Sequence, residues 1–335
     1  MSGKSTPQPE SSMPESDHIS VIAGYRLFVL GLILLALAVT MTLLTGNDYA
    51  WTVWLHQHRI PWIDDFLGRT VFEGEGLGGS DFAILFLAMA VVLYIHAWRK
   101  PGHQKLKAWR PYLGFIVTSG MVCSVYMVHS LKWVMGRARP RMVIKKGMAF
   151  TEWFEFGPHY VTEGIYRGSF PSGHTAAVLS LLTLAYVLAA GPSRSVAQRT
   201  VGLMWGVVSI TYCFFMAIGR SMSLGHWLSD CLFSIFMGWA LMHILYYRVL
   251  QVPLQMRYFL DHQHHAATPK IWELRVCIHI LLIVLGAMAV AIGMRAFWEQ
   301  SFPWLAGLMV PGGWMVWFFG RLLNRFLKRV FTAYQ

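Results

Sequence analysis

The stretch "RGSFPSGHTAAVLSLLTLAYVLAAG", residues 167–191, decides how this chain is read. From Thr175 onward it is almost wholly apolar, and a membrane-crossing helix needs about 20 such residues. Its front end, Pro171-Ser172-Gly173-His174, is polar and tight. A helix start presents unpaired N–H groups and the positive end of its dipole. Ser172 adds a hydroxyl, Gly173 allows close backbone approach to a ligand, and His174 brings a proton that the dipole helps release. The stretch reads as a membrane helix that opens on an oxyanion cradle with an acid at its rim. Taken alone, an ordinary serine-capped helix with an interfacial histidine has the same sequence.

Composition places the whole chain in the membrane. Of 335 residues, 56% are hydrophobic and 13% charged, with a mean hydropathy of +0.47; soluble domains are typically about a quarter charged. The 15 Trp residues suit interfacial belts. A formal charge of +12 would suggest nucleic acid in a soluble protein, but the chain has no RRM, KH or zinc-finger pattern, and no nucleic-acid partner is expected. Cys123, Cys213, Cys231 and Cys277 all lie in apolar segments without CxxC spacing, so buried free thiols are expected rather than disulfides or a zinc site.

Eight spans are expected, near 25–45, 81–98, 111–131, 174–191, 200–219, 227–247, 275–294 and, shorter, 303–319. The fold class is therefore all-α and polytopic: a six-helix core over residues 21–250, a loop at 251–274, and two further spans over 275–320. Residues 1–20, rich in Ser, Pro and Glu, read as a disordered tail. Residues 321–335 read as a basic amphipathic helix, with a solvated helix end the competing view. Residues 46–80 mix acids with Trp and suit an external interfacial segment. Short cytoplasmic loops carry excess Lys and Arg. Arg99, Lys100, Lys105, Lys107 and Arg110, then Arg194 and Arg199, then Arg248, Arg257, Lys270 and Arg275, then Arg321 to Arg329, share one side if there are eight spans. Both termini are then cytoplasmic. One opposite loop breaks the pattern with Lys132, Arg137, Arg139, Arg141, Lys145 and Lys146, which calls for an anionic ligand.

Two further motifs sit on that side. In "LKWVMGRARPR", Lys132 and Arg139 are seven residues apart, which on one helix puts both on one face, with Pro140 ending the helix. Cations snorkelling to lipid headgroups give the same pattern. In "GRSMSLGHWLSD", Arg220 ends the fifth span, while His226 and Asp230 are four apart on the sixth. A carboxylate on one imidazole nitrogen leaves the other free to attack; a satisfied interfacial His–Asp pair is the bland alternative.

The three motifs together resemble the type 2 phosphatidic acid phosphatase superfamily, whose signature is K-x6-R-P, P-S-G-H and S-R-x5-H-x3-D. The matching stretches are "KWVMGRARP" (132–140), "PSGH" (171–174) and "GRSMSLGHWLSD" (219–230), with Gly219 where the family usually has Ser. The resemblance covers residues 25–248. It implies that His226 is a nucleophile forming a phosphohistidine, Asp230 orients it, and His174 protonates the leaving oxygen and later activates water. Lys132, Arg139, Ser172, Gly173 and Arg220 then hold phosphate oxygens. No metal and no cofactor are expected, since no carboxylate cluster accompanies the motifs.

The expected substrate is a phosphorylated membrane lipid: lipid A, undecaprenyl diphosphate, phosphatidylglycerophosphate or phosphatidic acid. The aromatic insert before "SFPSGH", with Trp153, Phe154, Phe156 and Tyr160, is similar to the branch that dephosphorylates lipid A. The implied location is the cytoplasmic membrane with the site at its periplasmic or outer face. A lipid phosphotransferase and a non-catalytic phospholipid binder or transporter remain as alternatives. Vanadium haloperoxidases share the motifs but are soluble. "GEGLGGS" (74–80) follows no strand and is not a dinucleotide fingerprint, and "DHQHH" (261–265) reads as solvated loop histidines.

Overall fold

The computed structural model describes residues 15–71, 74, 76–99, 104–159, 168–192, 194–261, 271–300, 302–332 and 334, and every regular element among them is helical. In chain order the helices are α1 (Glu15–Leu44), α2 (Asp48–Gln57), α3 (Pro61–Gly68), α4 (Asp81–Arg99), α5 (Gln104–Ala108), α6 (Arg110–Ser119), α7 (Met127–Met135), α8 (Pro140–Lys146), α9 (Gly173–Leu179), α10 (Thr183–Ala189), α11 (Val196–Met222), α12 (Leu228–Ile244), α13 (Val252–Asp261), α14 (Trp272–Trp298) and α15 (Met309–Thr332). A π-helical stretch, Gly120–Tyr126, joins α6 to α7, and a 3-10 turn, Ser180–Leu182, joins α9 to α10.

Among the described residues, six helices are long and apolar enough to cross a membrane: Gly24–Leu44, Asp81–Arg99, Arg110–Lys146, Val196–Met222, Leu228–Asp261 and Trp272–Trp298. They coincide with six of the eight expected spans. The expected span 174–191 is the apolar helix Gly173–Ala189. At 1.5 Å per residue its length is about 26 Å, close to the thickness of the hydrocarbon core.

The eighth expectation needs correction. No helix breaks off near residue 320; after a 3-10 turn at Pro303–Leu308, α15 runs unbroken from Met309 to Thr332 and is not among the six membrane-crossing candidates. Pro311 falls in its first turn, where a missing N–H loses no helical bond, so Pro-Gly-Gly stands at the start of this helix. The expected span and the expected basic amphipathic piece are therefore one helix. It lies along α14, with Gly286 and Gly312 in close approach, and its end carries Phe331 onto Trp272 at 5.7 Å between rings. The loop expected at 251–274 begins with α13, and the histidines of "DHQHH" lie outside the described residues. So do residues 1–14 of the expected tail.

Burial separates centre from periphery. Of the most apolar window in Arg110–Lys146, 72% is buried in protein, against 17% in Gly24–Leu44. The α6–α7 rod is thus the middle of the bundle. Around it pack α4, α9, α10, α12 and α14, and α11 lies against α9, α10 and α12, with Phe115, Leu179, Cys213, Met216, Ile235 and Tyr246 in the shared core. Outward faces expose Phe28, Leu85, Val92, Leu203 and Val207, as a lipid-facing surface should. The four cysteines are free and buried, as expected.

Candidate active site

The site forms where α7 and α11 end and α9 and α12 begin. Lys132 sits in the last turn of α7, and the helix stops at Gly136, which takes a left-handed conformation (φ 57°) and donates to the Lys132 carbonyl at 3.1 Å. A Cβ on Gly136 would fall 1.8 Å from the His159 carbonyl oxygen, so only glycine fits here. Arg139 is then the N-cap of α8, and Pro140 begins that helix. The expectation of one helical face through to Pro140 is therefore wrong. Lys132 and Arg139 lie on either side of a turn, and both are buried.

Three backbone bonds hold that turn: Gly157 N–H to the Met135 carbonyl (2.7 Å), His159 N–H to Gly136 (3.0 Å) and Ser169 N–H to Arg137 (2.7 Å). The last one brings the basic turn to the start of α9. There Ser172 is the N-cap. Its hydroxyl oxygen accepts from the Thr175 N–H at 3.4 Å and the Thr175 hydroxyl at 3.0 Å, and its own N–H donates to the Asp230 carbonyl at 3.1 Å. A Cβ on Gly173 would meet only Val128, at an ordinary 3.5 Å. The His174 ring lies 6.5 Å from the His226 ring, centroid to centroid, at 61°.

Arg220, in the last turn of α11, donates to the Gly68 carbonyl at 2.5 Å. The chain then reverses: the N–H groups of Gly225 and His226 both donate to the Arg220 carbonyl, at 3.0 and 3.1 Å. Gly219, the departure from the family pattern, has a packing reason. A Cβ there would lie 2.4 Å from the Leu67 Cβ, and serine would push α3 off α11.

His226 precedes α12 instead of standing on it. Its Nδ1 is 2.8 Å from the Ser169 carbonyl oxygen. A carbonyl can only accept, so Nδ1 carries the proton and Nε2 keeps its lone pair. The expected direct His–Asp bond is absent: Asp230 Oδ2 is 3.6 Å from Nδ1. The carboxylate accepts instead from the Trp227 N–H at 2.9 Å, from Arg137 at 2.8 Å and from the Ser169 hydroxyl. Asp230 thus holds Ser169, and Ser169 holds the imidazole. Burial, reinforced by the nearby cations Lys132, Arg139 and Arg220, keeps the His226 imidazole well below its usual range. The same three cations surround His174.

Sequence reasoning missed the scaffold beneath. Arg137, counted among the cations awaiting a ligand, is fully buried and already paired. It donates to Asp230, to Asp48 at 2.9 Å, to the Ser229 hydroxyl at 2.7 Å and to the Thr151 carbonyl at 2.8 Å, with the Trp227 and Phe150 rings each at 5.4 Å. From α2, Asp48 accepts the Ser229 N–H at 3.0 Å and Thr52 accepts the Leu228 N–H at 3.2 Å. With Asp230 on Trp227, three donors at the start of α12 are satisfied by side chains. Burial pushes the Asp48 carboxyl up, against the pull of Arg137. Asp48 and Thr52, four apart on a Trp-rich helix, were the available signal.

Arg295 of α14 was missed as well. It reaches the Val134 and His159 carbonyls at 3.0 Å and the Gly157 carbonyl at 2.5 Å. At the rim, Trp153 donates to the Thr45 hydroxyl at 3.1 Å and Phe154 is exposed; Tyr160 lies outside the described residues. A polar cleft of about 780 Å³ adjoins Arg220 and Gly225, with Arg59, Asp64 and Arg141 in its walls. Among the described residues, no group of three or more His, Cys, Asp or Glu is arranged to hold a metal.

The sequence model of the PAP2 superfamily matches residues 108–253, which contain every site residue inferred from the sequence. No curated protein and no solved structure matches the chain.

Proposed function

We propose, from the premise that residues 108–253 belong to the PAP2 superfamily, that this protein hydrolyses a phosphate monoester or diphosphate of a membrane lipid. Members of that superfamily are generally phosphatases. The single observation that carries the reading is the pair of imidazoles, His226 and His174, 6.5 Å apart among Lys132, Arg139 and Arg220.

In the proposed first step, His226 Nε2 attacks phosphorus in line. The N–P bond forms as the P–O bond to the lipid breaks, and His174 gives its proton to the departing oxygen. The three cations, the Ser172 hydroxyl and the N–H groups at the start of α9 stabilise charge on the phosphoryl oxygens. In the second step, His174 takes a proton from water, the water oxygen attacks phosphorus, and the N–P bond returns its electron pair to Nε2. Proton transfer by a positioned group contributes roughly 10²- to 10⁴-fold. Loss of one oxyanion-stabilising donor costs roughly 10²- to 10³-fold.

A lipid substrate is supported by the site's position at one end of a bundle of apolar helices. The helix ends bearing Arg99, Arg110, Arg199 and Arg275 lie at the other end, because α7, α11 and α14 run toward the site while α4 and α12 run away from it. The positive-inside rule then supports a site on the non-cytoplasmic side, and we propose that it acts in the outer leaflet of the cytoplasmic membrane.

The test is phosphate release in detergent, with EDTA present, over lipid A, undecaprenyl diphosphate, phosphatidylglycerophosphate and phosphatidic acid. Release from at least one lipid, abolished in His226→Ala, is expected. Full activity of His226→Ala would overturn the nucleophile. Label passing to a second lipid without free phosphate would assign transfer in place of hydrolysis.

A further inference from the structure

We propose that Arg295 is a positioning residue of the phosphate site, which makes the C-terminal hairpin of α14 and α15 part of the catalytic apparatus although it lies beyond residues 108–253. The proposal rests on reading that site as a phosphate-handling centre.

A cation in a membrane helix is costly unless its charge and donors are engaged. Arg295 is 3% exposed and turns inward. Glu299, one turn on, takes its Nε at 3.1 Å. The other two nitrogens reach backbone: Nη1 donates to the Val134 and His159 carbonyls, and Nη2 to that of Gly157. Val134 belongs to the final turn of α7, beyond the last carbonyl that the helix-ending Gly136 N–H takes. Gly157 and His159 are the residues whose N–H groups hold Met135 and Gly136. One guanidinium therefore ties the end of the Lys132 helix to the segment that returns alongside the basic turn. The Phe156 ring lies 5.2 Å from the guanidinium carbon. A planar fork makes these bonds in fixed directions, which a lysine ammonium does not. A hairpin serving only as an anchor would have no need to bond the backbone of this turn.

The test uses the full chain in detergent with Arg295→Met and Glu299→Gln, and three readouts: kcat and KM for lipid phosphate, affinity for inorganic phosphate by thermal shift, and melting temperature. Arg295→Met is expected to weaken phosphate affinity and lower kcat/KM by at least about 10-fold each, as small misplacements of binding groups do. Glu299→Gln leaves both within about twofold, because the three carbonyl bonds remain. If Arg295→Met does not fold, Arg295→Gln, which keeps one donor, is read against the same thresholds. A folded variant with lowered melting temperature but wild-type phosphate affinity would overturn the proposal, because that is the outcome of a purely structural role. If the wild type binds phosphate yet cleaves no lipid, the functional reading fails, and phosphate affinity still decides this inference.

Discussion

Replacing Asp48 by Ala tests whether α2 is built into the site. The carboxylate is fully buried and makes three contacts: the Ser229 N–H at 3.0 Å, the Ser229 hydroxyl at 2.5 Å and Arg137 at 2.9 Å. Loss of a helix cap costs about 1 kcal/mol. Breaking a buried ion pair from one side costs about 3–5 kcal/mol, but Arg137 keeps Asp230 at 2.8 Å, so the lower part of that range applies. The sum, about 4 kcal/mol, is a large share of a typical stability of about 5–15 kcal/mol. Reversible unfolding in mixed micelles measures it, with Arg137→Met and the double variant completing a cycle. The double variant should be less damaged than the sum of the singles by more than about 1 kcal/mol, because the two residues share one network. A loss below about 1 kcal/mol for Asp48→Ala, typical of surface changes, or additive costs in the cycle, would refute the reasoning.

Gly219→Ser restores the residue usual in the resembled family, yet its Cβ would sit 2.4 Å from that of Leu67; overpacking of this kind costs about 1–3 kcal/mol, and α3 carries the Gly68 carbonyl that holds Arg220. Thermal unfolding and phosphate release should both decline, and a serine variant as stable and active as the wild type would contradict the packing account. His226, held low by burial and three cations, should stay neutral until the pH falls below about 6.5, the ordinary imidazole value. Because the folded pKa is depressed, the associated stability is fully present above that value and is lost as pH falls below it. NMR titration of labelled histidine, assigned with His226→Ala, should give a midpoint under about 6.5 that rises when Lys132→Gln removes one cation; a midpoint at or above 6.5 would contradict the proposed environment.

Local rules carried part of this site and long-range contacts carried the rest. The start of α9 was legible because an N-cap serine and the glycine after it act within one turn. The break in the basic motif was also local. Gly136 is a helix-ending glycine and Pro140 a helix-starting proline, but the seven-residue spacing of Lys132 and Arg139 fits one continuous helix equally well. The i,i+4 spacing of His226 and Asp230 brought them near each other, yet a carbonyl 57 residues away in sequence took the hydrogen bond. The burial of Arg137 was out of reach, because its partners lie 89 and 93 residues away. The spans are legible from hydropathy, except at the C-terminus, where the short apolar run 303–319 and the basic stretch after it share one helix that has Pro311 in its first turn.

The central claim is a covalent phosphoryl bond to His226. Rapid acid-limited quenching of the enzyme during turnover of a ³²P-labelled lipid phosphate, followed by peptide mapping, tests it directly. The account predicts an acid-labile, alkali-stable adduct on the peptide containing His226, absent from His226→Ala and persisting longer in His174→Ala, where water is no longer activated. Label on another residue, or steady phosphate release with no adduct and undiminished activity in His226→Ala, would contradict it.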